Sequence, residues 1–309
     1  MQAASDVAKQ QGALNRNGMT WHTLLENPIG KLQSVLARKA ATKSRSDLLG
    51  SMSTEDAAEC RSNGGTGAGA WLQPPPEDAD CKPLPDSHFR IQLRDRLLLD
   101  VCPPGALCQH RRRNGTLCLA PLDSRGHHSK KCKCQGLVEE RHDQLRDYNA
   151  NAWHSCTALP TNTEQVVPEW NKPDGRGGIL EARLDIATSD PGTGTPLFYD
   201  VVVKTAHSDD ASTLRSRATH DGRAAADGAA EKKRRYDRAG SALVPLSIEA
   251  GGRPGRDVVN FIRRCGAAWR DTHDGDTSGF GRLWYGLSTT LQLWNAELLL
   301  SSIGALRAS

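Results

Sequence analysis

The sequence predicts an α/β fold on three observations: two strand-like segments flank a turn-rich stretch, an amphipathic helix pattern precedes them, and a basic helix pattern follows. The strand segments are ILEARLDIA (179–187) and LFYDVVVK (197–204), separated by SDPGTGTP. Such a pair reads as a β-hairpin. A small Cys/His module and a helical N-terminal lead-in are expected ahead of this core.

At 309 residues the chain has the length for roughly two domains and a substantial core. Aromatics are 5% and hydrophobics 37%, with 29 glycines and 16 prolines, so long irregular stretches are expected. A net charge of +4 permits contact with nucleic acid without requiring it, because local basic patches govern phosphate affinity. No apolar run reaches the length of a bilayer span, and Met1 is followed by the polar Gln2, Ser5, Asp6, Lys9 and Gln10. A soluble intracellular protein without a membrane partner is expected.

Residues 1–61 mix short helical patterns with basic positions such as Lys39, Lys43 and Arg45 and read as a weakly ordered helical lead-in. SNGGTGAGAWLQPPP (62–76) suits neither a long helix nor a central strand. It opens a linker and helix region, 62–101, in which Phe89, Ile91, Leu93, Leu97 and Leu98 recur at helical spacing ahead of Pro103. A Cys/His module occupies 102–136, and the α/β core fills 137–309. Within that core, LVEERHDQLRDYNANAW (137–153) is an amphipathic helix, EKKRRYDRAG a basic helix and LVPLSIEA (243–250) a further strand. Two terminal helices follow, one through Val258, Phe261, Ile262, Cys265 and Trp269, the other through Leu287, Leu291, Trp294 and Leu298.

Alternation puts Asp185 on a polar strand face with Glu181 and Arg183. Asp200 shares its face with Phe198, Val202 and Lys204, where a carboxylate is costly without a cation. A hairpin centred on Gly192 and Thr193 sets the two acids directly opposite each other, with Cβ atoms ~4.5–5.5 Å apart. Two such oxygens could grip one Mg²⁺ working on phosphate. A cation to assist the reaction is sought in EKKRRY: Lys232 and Tyr236 lie four apart on one helical face, Lys233 is adjacent, and Lys204 competes from the strand.

The nine cysteines are an odd number, and four of them crowd with two histidines. In a reducing compartment that pattern favours metal over disulfides. Cys108, Cys118, His128 and Cys132 form a CCHC set suited to a structural Zn²⁺, though His127 would serve as the histidine and Cys102 or Cys134 could replace a cysteine. Arg111, Arg112, Arg113, Lys130, Lys131 and Lys133 surround this set and could contact phosphates.

Taken in order, RLDI, YDVVV, EKKRRY and VPLSIEAGGRPG resemble the restriction-like endonuclease of site-specific non-LTR retrotransposons, a variant of the PD-(D/E)xK fold with its lysine displaced onto a helix. The resemblance implies that Asp185 and Asp200 are the metal-binding acids, that Lys232 is the lysine four residues before the tyrosine, here Tyr236, and that Glu249, expected among the catalytic residues, lies with Arg253 in a trailing PL-x-x-E-x-x-G-R segment. Leu184 stands where the family has proline. The likeness spans most of 100–305, and GAGAWL and FRIQLRDRL carry it upstream to about residue 62. It also places a CCHC knuckle before the nuclease, followed by an RHN-like helix, here Arg141, His142 and Asp143. Arg141 is then expected to contact nucleic acid, and His142 to make a structural or nucleic-acid contact in preference to binding metal.

The resemblance implies a nuclear enzyme that nicks one strand of target DNA, with RNA as a further partner. No Y/F-x-D-D motif of a polymerase is found, since HSDD (207–210) lacks the aromatic. A detached C-terminal portion is therefore expected. The competing expectations are an inactive zinc-stapled nucleic-acid-binding protein and a decayed relic.

Overall fold

The computed structural model describes residues 32–76 and 81–305. The chain divides into two units, one ending at Ser53 and one beginning at Thr54. In the first, α1 (Leu32–Ser51) carries the i,i+4 ion pair Lys43–Asp47 at 3.6 Å. The expected lead-in at 1–31 lies outside the described residues.

The second unit runs α2 (Thr54–Ser62), α3 (Asp86–Arg96), α4 (His127–Lys131), α5 (Leu137–Thr157), β1 (Asn162–Val166), β2 (Lys172–Pro173), β3 (Ile179–Leu180), β4 (Arg183–Ser189), β5 (Pro196–Lys204), α6 (Ala211–Thr219), α7 (Arg223–Arg235), β6 (Leu243–Glu249), α8 (Arg256–Thr272) and α9 (Ser278–Ser302). A four-stranded sheet has the order β1-β4-β5-β6. Its first two pairings are antiparallel, and β5 pairs with β6 in parallel. A parallel pair needs a crossover, which α6 and α7 provide. The fold class is thus mixed α/β.

One sheet face is built around Trp153 of α5. Its ring packs on Phe261 at 5.6 Å and Tyr199 at 5.3 Å, and its Nε1 donates to Thr188 Oγ1 at 3.0 Å. Leu145, Val201, Leu246, Ile262 and Leu291 belong to the same cluster, so α5, α8 and α9 share it. The opposite face receives α7. Gly228 there is close enough that an added Cβ would meet Ser247 Oγ at 2.6 Å and Lys204 Cγ at 3.0 Å.

ILEARLDIA, expected as one strand, is broken. Ile179 and Leu180 form a separate small ribbon with β2, and the Ala182 amide donates to the Asn171 side chain at 2.7 Å in place of a ladder carbonyl. β1 had no visible signal, because NTEQV is an edge strand whose side chains are mostly outside the core, and Glu164 interrupts it with φ 55°. Edge strands need little apolar alternation.

Residues 54–61, expected in the lead-in, belong to the larger unit. Arg61 Nε donates to Ala218 O at 2.7 Å, and Ser62 O accepts the Arg253 amide at 2.9 Å. The glycine-rich stretch after them is anchored too: Trp71 is buried and its amide donates to Ser288 Oγ.

The Cys/His module is likewise packed onto the rest. Val101, Cys108, Leu122 and Cys132 share a second apolar cluster with Ile91 of α3 and Ala296, Leu299 and Leu300 of α9. Its backbone joins in, as the Gln109 amide donates to Ser302 O at 2.8 Å. Gly126 adopts φ 65°, and a Cβ there would meet Leu299 Cδ2 at 2.4 Å. Glycine is required on both counts.

Candidate metal centres

The β4–β5 ladder runs from Ser189 opposite Pro196 to Ile186 opposite Tyr199, so the next step of the same register faces Asp185 toward Asp200. There the ladder stops. The Val201 amide donates to Asp185 Oδ2 at 2.6 Å in place of a backbone carbonyl. Asp185 emerges on no solvent-washed face: both acids are buried, Asp200 to 1% exposure.

His142 of α5 reaches this pair, its Nε2 lying 3.0 Å from Asp185 Oδ2. Lys232 Nζ donates to Asp200 Oδ1 at 2.6 Å, while Asp200 Oδ2 is buried without a partner. Among the described residues, His142, Asp185 and Asp200 form one of two groups that could hold a metal ion, their ligand atoms all within 4.8 Å of one another. An orphaned carboxylate oxygen costs free energy unless something positive completes it.

The two acids are polarised in opposite directions. Burial works against an ionised Asp185, but the hydrogen bond from His142, the neighbouring Asp200 carboxyl and the charges of His142 and Lys232 hold its carboxyl below the usual value. Burial pushes Asp200 up to about 7, with the Asp185 charge adding to it and Lys232 opposing. His142 is raised, chiefly by its hydrogen bond to Asp185. Paired groups driven apart in this way are a common mark of a functional site.

α7 and its C-terminal tyrosine hold the lysine in place. Tyr236 is buried, and its hydroxyl donates to Arg183 O at 2.9 Å, fastening the end of α7 to the start of β4. Lys233, expected beside Lys232, points elsewhere: it is exposed, with Asp257 3.9 Å away. Lys204 pairs with Glu231. Glu249, also expected in the site, lies opposite Lys204 in the β5–β6 register, four residues along from the level of Asp200. Its Oε1 accepts the Ala225 amide at 3.1 Å near the start of α7, so it braces the helix. Gly228→Ala is expected to push α7 off the sheet, cost about 1–3 kcal/mol, and loosen the Lys232–Asp200 contact. Thermal unfolding together with the structure of the variant checks this.

The second group is Cys108, Cys118, His128 and Cys132, which could hold a metal ion such as zinc. Its C-x9-C spacing is explained by a short ribbon. Cys108 exchanges backbone hydrogen bonds with Ala120 and Leu119, and His110 accepts from the Cys118 amide at 2.8 Å, folding the first two cysteines together. Cys118 Sγ lies 3.5 Å from His128 Nε2 and 3.9 Å from Cys132 Sγ, which is 3.9 Å from Cys108 Sγ. Burial pushes the Cys108 and Cys132 thiols up. Thiolates in such a site need a bound cation.

The alternative ligands are placed as follows. His127 turns to Asp123, with Nδ1 3.2 Å from Oδ1, and stacks on His207 at 4.0 Å. Cys102 is buried in the apolar cluster, and Cys134 is partly buried against it. No family model matches the chain, and neither a curated protein nor a solved structure matches it.

Of the residues expected to touch nucleic acid, Arg111, Arg112, Arg113 and Lys131 are exposed. Lys130 is not available: it is 3% exposed and pairs with Asp95 at 2.7 Å. Arg141 is buried as well, donating to Asn295 Oδ1 of α9 at 2.8 Å. His142 belongs to the acid group. Sequence reasoning missed that role because His142 precedes Asp185 by a whole helix, and nothing in the local pattern joins them. A cavity of about 370 Å³ lined by Tyr148, Cys156, Trp269 and Arg282 includes none of the acid-site residues. Among the described residues no helix is long and apolar enough to cross a membrane.

Proposed function

We propose that this chain is a metal-dependent DNA endonuclease of the PD-(D/E)xK type, the zinc-knuckle and restriction-like endonuclease region of a site-specific non-LTR retrotransposon protein. One observation carries the reading: Asp185 and Asp200 converge beside the Lys232 amine on a point where Asp200 Oδ2 has no protein partner. Carboxylates in that arrangement fit a hard divalent cation such as Mg²⁺. Asp185 and Asp200 would hold it, and when bound it supplies an activated water and charge neutralisation at phosphate.

The protein's own groups do the rest. Lys232, fixed by Gly228 packing and by the Tyr236 anchor, steadies negative charge on the scissile phosphate. Water oxygen bonds to phosphorus as it gives up a proton to solvent, and the bond to O3′ breaks as O3′ takes a proton from solvent, leaving a 5′-phosphate and a 3′-hydroxyl. Arg111, Arg112, Arg113 and Lys131 supply salt-dependent phosphate contacts for DNA or RNA. Work on target DNA implies a nuclear location.

Plasmid nicking in Mg²⁺ by the wild type, Asp185→Ala and Asp200→Ala tests the reading. Nicking by the wild type alone supports it. Equal activity in all three sinks the assigned site, and activity in none leaves an inactive zinc-stapled nucleic-acid-binding protein.

A further inference from the structure

We infer that His142 is a third ligand of the cation held by Asp185 and Asp200, and that the site therefore takes Mn²⁺ in preference to Mg²⁺. This rests on the cation site of the proposed endonuclease and assigns its chemistry more closely.

The geometry comes first. Neighbouring ligands of an octahedral ion with bonds of about 2.1 Å stand roughly 3 Å apart. His142 Nε2 and Asp185 Oδ2 are 3.0 Å apart, and the Asp200 oxygen completes the group within 4.8 Å. Lys232 occupies Asp200 Oδ1, so the buried and unpartnered Oδ2 is the oxygen left for the ion.

The surroundings of His142 suit a ligating histidine. Its Nδ1 lies 3.3 Å from Asp143 Oδ1. Arg146 donates to that same oxygen at 2.9 Å and to Glu164 Oε1 at 2.7 Å, tying Asp143 to β1. Once Nε2 gives up the proton it shares with Asp185, a carboxylate behind the far nitrogen keeps the remaining proton on Nδ1 and leaves Nε2 free to coordinate, as in many metal-bound histidines. Asp143 stands where the resembled helix has asparagine, and here that substitution supplies the negative partner.

Ligand chemistry sets the preference. Magnesium favours an all-oxygen shell, whereas a first-row transition ion accepts imidazole and carboxylate together. The same acids with His142 added therefore shift selectivity toward Mn²⁺.

The test titrates the full chain, its cysteine cluster loaded with zinc, with Mn²⁺ alone. Calorimetry gives affinity, and pulsed electron paramagnetic resonance reads ¹⁴N coupling to bound Mn²⁺. One Mn²⁺ with a directly bonded imidazole nitrogen is expected in the wild type. In His142→Gln the coupling should vanish and Mn²⁺ affinity fall at least about 10- to 100-fold, the loss that removing even an outer-shell partner of a metal ligand brings, with Mg²⁺ affinity changed much less. Circular dichroism verifies that the variant folds, and Asp143→Asn, which leaves His142 in place, should retain the coupling.

Mn²⁺ bound by the wild type without ¹⁴N coupling, or a coupling that survives His142→Gln, overturns the assignment of His142 while leaving the two-carboxylate nuclease standing. Binding of neither Mn²⁺ nor Mg²⁺ at millimolar concentration overturns both.

Discussion

Removing metal from the Cys108, Cys118, His128, Cys132 cluster is expected to destabilise the larger unit by on the order of 5 kcal/mol, lowering Tm by roughly 10 °C or more. The thiols of Cys108 and Cys132 are buried and pushed up, so without a cation they stay protonated and the ribbon loses its cross-link. The loss does not stay local, because Cys108 and Cys132 share an apolar cluster with Leu299 and Leu300 of α9. The part of the ribbon's hold that comes from that packing survives chelation, which keeps the effect below that of zinc fingers that unfold outright. Elemental analysis should find one zinc per chain in the wild type and none in Cys108→Ser/Cys132→Ser. Calorimetry before and after chelation gives the shift. A Tm indifferent to chelator would show that the packing alone holds the ribbon.

The second large effect is loss of nicking in Asp200→Ala, expected at on the order of 10³-fold or more, about 4 kcal/mol in the barrier. A pH dependence should accompany it. Asp200 in the metal-free protein is pushed up to about 7 by burial and the Asp185 charge, so below that pH an entering cation must displace a proton. Apparent cation affinity should then fall at least about tenfold per pH unit on the acid side of 7, more steeply where His142 must give up its proton as well. The same shift has a sign for stability. A carboxyl raised on folding contributes stability that is fully present below its unfolded value and is lost as pH rises through about 7. The Asp200 contribution should therefore show as a loss of stability across this range in the metal-free wild type that is absent in Asp200→Asn, and added cation should offset it in the wild type. Titrations of Mn²⁺ or Mg²⁺ binding at several pH values, with Tm followed in parallel, check both statements.

The hairpin was legible because turn residues and alternation agree, and its register puts Asp185 at the level of Asp200. Lys232 was legible through its spacing to Tyr236, and both side chains reach the β4–β5 region. The Cys/His set was legible by residue type, although the choice between His127 and His128 was not: it depends on Asp123 and His207 claiming His127. Three things were hidden. β1 shows little because an edge strand buries little. Lys130 and Arg141 look like surface charges, yet Asp95 and Asn295, both distant in sequence, draw them inside. His142 joins the acids through the packing of α5 on the sheet, a tertiary relation that no short spacing encodes.

α9 contributes Leu291 to the sheet's core and Leu299 to the cysteine ribbon's core, and this has a consequence for biosynthesis. The ribbon and the strands leave the ribosome well before the helix that covers them, so both must wait with apolar surface showing until it emerges. Contacts of such long sequence separation slow folding and expose intermediates to aggregation. A nascent chain stalled before residue 283 would leave the apolar clusters of the sheet and of the ribbon uncovered, and chaperones would be needed most in that interval.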